Sequence, residues 1–239
     1  MSALTAPRRL ALFDLDGTLS HRDTEQDWAY LLGAEGLIDP KPFDAFQEAY
    51  RQGTLHLPDY YAWYLDVFRR TSLSELERLR DRLIEECLLP AVAAEARAWI
   101  AAERARSDAV LLVTASNAFL TEPLGARLGF DATLATHLER AGERFTGRIA
   151  GQACFREHKL THVRAWLAKQ GQTFEALERV CFYTDSHNDL PLLERVHEPR
   201  VVEPDPRLAA EAQRRGWPVL RLPPSGPEPA TLRQPKAGP

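Results

Sequence analysis

Cysteine is scarce in this chain: Cys87, Cys154 and Cys181 are far apart, odd in number and free of any C-x-x-C spacing. Such a set argues against a disulfide framework or a zinc knuckle and suits a reducing compartment. Long apolar runs are missing too. No segment reaches the roughly 20 uninterrupted apolar residues of a membrane span, and none follows Arg8 and Arg9 near the start. A cytoplasmic protein without a membrane partner is the expectation. No one sign of charge dominates, the net value being -4 at pH 7, so nucleic acid is not an expected partner either. No internal repeat is visible.

What is present is ordinary globular material, with 44% hydrophobic and 27% charged residues in a chain of 239. That length can bury a substantial core, as one domain with an insertion or as two small domains. Residues 10–13 form a short apolar run that stops at Asp14-Leu15-Asp16-Gly17-Thr18, the pattern of a buried parallel strand entering a polar turn. From Asp23 to about Arg106 the apolar spacing is helical, as in Tyr61, Tyr64, Leu65 and Phe68. Pro42 and Pro58 suit first turns, Gly53 suits a stop, and Ser74 with Glu77 has capping-box spacing.

Strand-like runs return at residues 109–113, ending in Thr114-Ala115-Ser116-Asn117, and at residues 180–183, ending in Thr184-Asp185-Ser186-His187-Asn188-Asp189. Between them lie a helix closed by Gly129, a hairpin at residues 140–149 and a helix at residues 159–169. A strand at Val201-Val202, a helix at residues 206–215 and a strand at residues 218–222 complete the rhythm. Strands alternating with helices predict an α/β fold, a doubly wound, Rossmann-like parallel sheet. The expected division is a core of residues 1–20 and 108–222, a helical cap of residues 21–107, and a disordered Pro- and Gly-rich tail at residues 223–239.

In an open parallel sheet ligands bind at the carboxyl ends of the strands. Asp14 and Asp16 follow one strand, Thr114 and Ser116 a second, Asp185 and Asp189 a third, while Lys159 begins a helix. Carboxylates gathered this closely repel one another unless a divalent cation neutralises them, and an all-oxygen donor set suits magnesium. A phosphate would then sit on the metal, with Lys159, Thr114 or Ser116, and the amides of the Gly17-Thr18 turn as further donors. Asp14 is placed to attack phosphorus and Asp16 to protonate the leaving alcohol.

These residues resemble the haloacid dehalogenase superfamily. Phe13-Asp14-Leu15-Asp16-Gly17-Thr18-Leu19 matches its first signature, and the hydroxyl site, the lysine and Asp185-x-x-x-Asp189 follow in its order over residues 9–222. The early helical insertion and Tyr183-Thr184-Asp185-Ser186-His187-Asn188-Asp189-Leu190-Pro191 look like the phosphoserine phosphatase-like branch, particularly its histidinol-phosphatase-like bacterial members. The resemblance implies a magnesium-dependent phosphomonoesterase working through an aspartyl phosphate. It implies Asp14 as nucleophile and metal ligand, and Asp16 as acid/base that also binds metal through its carbonyl. It further implies phosphate on Thr114, with Ser116 close enough to share the role, orientation by Lys159, and metal support from Asp185 and Asp189. Gly17, Thr18, Asn117 and Asn188 complete the expected phosphate and substrate contacts.

Two departures bear on substrate. Thr114-Ala115-Ser116-Asn117 replaces the Ser-Gly-Gly usual in phosphoserine phosphatases, and only Arg51 offers itself for a substrate carboxylate, whereas Asp23 stands where those enzymes meet an ammonium. A small amine-bearing phosphomonoester without a carboxylate, such as histidinol phosphate, is therefore favoured over phosphoserine. The alternatives are phosphotransfer to an acceptor alcohol and a non-catalytic metal or metabolite binder. Taken alone, Asp14-x-Asp16-Gly17 could be a calcium loop or a solvated turn, Lys159 a surface lysine, and the His158 and His162 pair a solvated helix end rather than a zinc clamp. The cap aromatics, Tyr60 and Tyr61 among them, could line a substrate pocket, but at helical spacing they read mostly as core.

Overall fold

The computed structural model describes residues 6–52 and 54–223, apart from the side chains of Arg51 and Leu57. The tail beyond residue 223, the helix stop assigned to Gly53 and the Arg51 side chain lie outside the described residues. In β1 (Arg9–Phe13), Leu10 and Leu12 enter one hydrophobic cluster and Ala11 and Phe13 another, all fully buried. A strand apolar on both faces has no side for water and belongs in the middle of a covered sheet.

After the turn at Asp14 the chain runs through helices α1 (Thr24–Ala34), α2 (Lys41–Gln52), α3 (Leu57–Tyr64), α4 (Asp66–Arg70) and α5 (Leu73–Leu83). A wider π-type turn at Ile84–Leu88, the short α6 (Leu89–Ala91) and α7 (Ala94–Arg104) bring it back. Asp23 caps α1 by accepting the Gln26 N–H, and Pro42 and Pro58 do sit in first turns. The capping box is displaced from its expected place: Ser72, not Ser74, caps α5 and accepts the N–H of Glu75. Both serines precede a glutamate at the right spacing, and Ser72 is the one with extended backbone.

The chain then forms β2 (Ala109–Asn117), α8 (Ala118–Leu128), β3 (Ala132–Thr136), the hairpin strands β4 (Leu138–Ala141) and β5 (Arg144–Ile149), and α9 (Glu157–Lys169). It closes with β6 (Arg179–Thr184), α10 (Leu190–Leu193), β7 (Glu198–Val202), α11 (Pro206–Arg215) and β8 (Val219–Leu220). Two elements differ from the sequence reading. β2 continues through Asn117 rather than stopping at Val113, and β3, whose residues Ala-Thr-Leu-Ala-Thr carry a weak strand signal, pairs with it at the sheet edge.

The main sheet has the order β3-β2-β1-β6-β7-β8, every pairing parallel, so the chain reverses direction across the sheet between β1 and β6. This is the doubly wound α/β arrangement, with its ligand crevice at the switch point. One face carries Val163 and Leu167 of α9 and Leu208 of α11; the other carries α7, α8 and the helical segment, whose centre is Trp28, Phe43, Tyr64 and Phe68. Residues 21–107 do not all stay with that centre. Trp99 of α7 stacks on Tyr183 at 5.8 Å, and Phe145 of β5 packs edge-on against Phe68 of α4 at 5.5 Å. Cys87, Cys154 and Cys181 are buried and form no disulfide among the described residues, of which no helix is long and apolar enough to cross a membrane.

Candidate active site

Parallel strands deliver their carboxyl ends to one edge of the sheet, and the pair at the switch point delivers acids. Asp14 follows β1 directly, and its N–H donates to the Tyr183 carbonyl of β6 at 2.9 Å. Lys159, in the first turn of α9, reaches between two acids: Nζ lies 3.0 Å from Asp14 Oδ1 and 2.8 Å from Asp189 Oδ2. Thr184 donates its hydroxyl to the same Asp189 oxygen at 2.6 Å. All four side chains are buried, a setting in which removing one charged partner costs on the order of 3–5 kcal/mol.

Asp185 is held from the opposite strand. The Thr18 hydroxyl donates to Asp185 Oδ1 at 2.9 Å and accepts the Asp185 N–H at 3.1 Å. Gly17 allows that approach, because its φ of +76° disfavours a side chain and a Cβ there would collide with the Asp185 carboxylate. Asp16 faces elsewhere. Its Oδ1 accepts the Thr24 N–H at 2.8 Å and the Thr24 hydroxyl at 2.5 Å, and its Oδ2 accepts the Ser116 hydroxyl at 2.6 Å.

Electrostatics separates the acids. Burial raises the Asp14 carboxyl pKa, and Lys159 pulls it back only in part. Burial and then the charge of Asp14 raise Asp185, while burial and then the charge of Asp23 raise Asp16. Burial also works against the ammonium of Lys159, but Asp14 and Asp189 outweigh it and keep the lysine protonated.

Several residues expected to contact phosphate or substrate have partners within the chain. Thr18 has no donor left for phosphate, since its N–H goes to the Leu15 carbonyl and its hydroxyl to Asp185. Asn117 caps α8 by accepting the Leu120 N–H and donates its amide to Tyr64 and Glu25, so it is locked into structure. The Asn188 amide is divided between the Tyr50 hydroxyl, at 2.7 Å, and Arg156, at 3.0 Å. Ser116 spends its hydroxyl on Asp16, whereas Thr114 accepts the Ser116 N–H and keeps its own proton to donate. Asp189 turns to Lys159, which it shares with Asp14. His158 and His162 make separate contacts, with Glu157 and with the Gln152 carbonyl.

Asp14, Asp16, Gly17, Asp23, Thr114 and Ser116 do line one cavity of about 760 Å³, together with Lys159, Asp185, Asn188 and Asp189. The sequence reading missed two of its walls, Glu25 and Tyr50. Glu25 donates nothing locally that would mark it, being one acid among several at the start of α1. Tyr50 was legible only as a helix-face aromatic, and Tyr60 as a cap aromatic that could line a pocket but read as core; both line the cavity, while Tyr64 and Phe68 fill the interior.

The donor set can be weighed against magnesium. Asp14 and Asp185 present carboxylate oxygens whose charge is disfavoured by burial and by neighbouring acids, Asp189 and Asp16 for Asp14 and Asp14 itself for Asp185, the condition a divalent cation relieves. No group of three His, Cys, Asp or Glu side chains forms a metal cage among the described residues. Magnesium suits such a partial set, because it binds through one or two carboxylates and keeps several waters. Zinc, which takes three or four protein ligands, does not.

Comparison with known proteins gives the family and the fold. Residues 11–194 match the family model of haloacid dehalogenase-like hydrolases. A histidinol-phosphatase of Neisseria meningitidis is 33% identical over 220 residues, covering 90% of this chain and 99% of its own. A probable phosphatase of Mycobacterium tuberculosis is 30% identical over 237 residues, covering 90% and 77%. Among solved structures, a Bordetella pertussis protein of unknown function superposes with a TM-score of 0.84 at 36% identity, covering 89% of this chain and 98% of that one. A phosphoserine phosphatase carrying a phospho-aspartyl intermediate analogue shares the fold, with a TM-score of 0.64 at 16% identity and coverage of 90% and 93%.

Proposed function

The chain belongs to the haloacid dehalogenase-like hydrolases and is a phosphatase; from that premise we propose that it hydrolyses a small, amine-bearing phosphomonoester through an aspartyl phosphate on Asp14, with magnesium as cofactor. One observation carries the reading. Asp14 and Asp16 open into the same cavity in opposite settings, Asp14 on the Lys159 ammonium and Asp16 between two hydroxyl donors.

A carboxylate oxygen of Asp14 attacks phosphorus as the phosphorus–oxygen bond to the alcohol breaks, and Asp16 gives its proton to the departing oxygen. A water then attacks the acyl phosphate and passes its proton to Asp16, which regenerates Asp14 and frees phosphate. The raised pKa of Asp16 suits it to carry a proton near neutrality, and separation from Lys159 keeps that proton available. Lys159 and the Thr114 hydroxyl bear on the phosphoryl oxygens; Asp189 and Thr184 position Lys159. Asp14, Asp185 and the Asp16 carbonyl would hold magnesium, which would supply positive charge for the phosphoryl group. Thr18 and Gly17 act through Asp185 rather than on phosphate.

The alcohol faces Asp23, whose oxygens take neutral donors among the described residues, from Gln26, Gln47 and the Glu25 N–H. That favours an ammonium in the leaving group and, with the histidinol-phosphatase relative, histidinol phosphate over phosphoserine. The test is phosphate release from histidinol phosphate, phosphoserine and sugar phosphates, with magnesium and with a chelator. Turnover is expected only with the metal and fastest with histidinol phosphate; Asp14→Asn is expected to lose more than about 10³-fold in kcat. A preference for phosphoserine would refute the substrate assignment, and full activity of Asp14→Asn would refute the mechanism.

A further inference from the structure

Phosphate and a two-carbon amine fill little of a cavity of about 760 Å³, a size that accommodates drug-sized ligands. The walls beyond Asp23 decide what else the leaving alcohol carries. Two hydrogen-bonded steps fix where those walls begin. Thr24 and Ser116 hold the two oxygens of Asp16, and the residue after each, Glu25 and Asn117, are bonded to one another, Asn117 donating its N–H at 3.2 Å and its side-chain amide at 3.3 Å to Glu25 Oε1. Glu25 therefore directly follows a residue that holds the proton donor to the leaving oxygen, and it lines the same cavity as that donor.

The remaining Glu25 oxygen accepts the Tyr60 hydroxyl, so every partner it has among the described residues is neutral. Its carboxylate lines the cavity, where burial lifts its pKa to about 7. The adjoining wall is aromatic: Tyr60 sits 5.5 Å from both Phe46 and Tyr61, and all three rings line the cavity. A buried carboxylate without a cation is costly, and flat rings beside it attract a flat, positively charged group.

We propose that Glu25 is a specificity-determining residue that, with the aromatic wall of Phe46, Tyr60 and Tyr61, binds a protonated nitrogen heterocycle in the leaving alcohol, apart from the ammonium that meets Asp23. This rests on the phosphomonoesterase reading and deepens it. A substrate with two separate basic nitrogens satisfies both carboxylates; one with a single ammonium leaves Glu25 unmatched. Hydrogen bonding alone would not require an acid at this position, since glutamine can also accept from Asn117 and engage Tyr60.

The test compares kcat/KM at saturating magnesium for four esters: histidinol phosphate, 2-(imidazol-4-yl)ethyl phosphate, and their ring-free counterparts 2-aminoethyl phosphate and ethyl phosphate. In the wild type the two imidazole esters are expected to exceed their ring-free counterparts. In Glu25→Gln that advantage is expected to shrink about 10- to 100-fold, the worth of a charged hydrogen bond, and Glu25→Asp is expected to restore part of it. Thermal unfolding of each variant separates this from loss of fold, which would lower all four rates together. An unchanged ratio in Glu25→Gln, or a wild type indifferent to the ring, would overturn the proposal while leaving the phosphatase reading intact. Failure of the wild type to release phosphate from any ester would overturn both.

Discussion

At the scale of single residues, the site works through side chains that hold other side chains. Thr18 is the clearest case: it makes two hydrogen bonds to Asp185, at 2.9 and 3.1 Å, and is itself fully buried. Residues that orient a metal ligand contribute on the order of 10- to 100-fold to metal affinity or activity. Thr18→Val keeps the shape and removes the hydroxyl. The magnesium concentration giving half-maximal phosphate release is expected to rise by about that factor; a variant saturating at the wild-type concentration would show that Asp185 needs no such support. The same logic explains why Thr18 reads from sequence as a phosphate donor. Its place in the motif is visible, but the direction of its hydroxyl depends on Asp185, 167 residues away.

At the scale of elements, α7 returns the chain from the helical segment to the sheet through a polar anchor. Glu103 of α7 accepts from Arg179 at 2.8 Å and from the Tyr183 hydroxyl at 3.0 Å, and Arg179 also reaches Glu198 of β7 at 2.7 Å. Burial alone would raise the Glu103 pKa, but Arg179 and Tyr183 outweigh it and hold the carboxyl below its ordinary value. A depressed carboxyl stabilises the fold fully above its unfolded-state pKa, about 4.3, and loses that contribution as pH falls through the lower native value. Glu103→Gln is therefore expected to cost about 1–3 kcal/mol near neutrality and less in acid. Urea unfolding midpoints from pH 7 down to 3 check it, and two parallel curves would contradict it. Nothing in the local sequence marks Glu103, since an acid near the end of a helix looks like a solvated one.

At the scale of the whole molecule, stability and function pull against each other at the switch point. Asp14 and Asp185 are brought together from the first and fourth strands of the sheet in chain order, and the fold bears their repulsion. Asp185→Asn is expected to make the metal-free protein more stable, since it relieves that repulsion while an amide oxygen can still accept from Thr18. Magnesium should raise the melting temperature of the wild type, a gain of about 2.7 kcal/mol at 100 times the dissociation constant. The variant should lose that response. A metal-free variant less stable than the metal-free wild type would count against the argument. The strand rhythm, the doubly wound class and the placement of Asp14, Lys159 and Asp185 at strand and helix ends were all legible from the chain, because apolar periodicity and turn residues act over a few positions. The edge strand β3, the division of labour between Thr114 and Ser116, the capture of Asn117 by structure and the exposure of Glu25 to the cavity were decided only by tertiary packing. Those outcomes depend on which distant donor reaches a group first, and hydrogen-bond direction between segments a hundred residues apart leaves no periodic trace in the sequence.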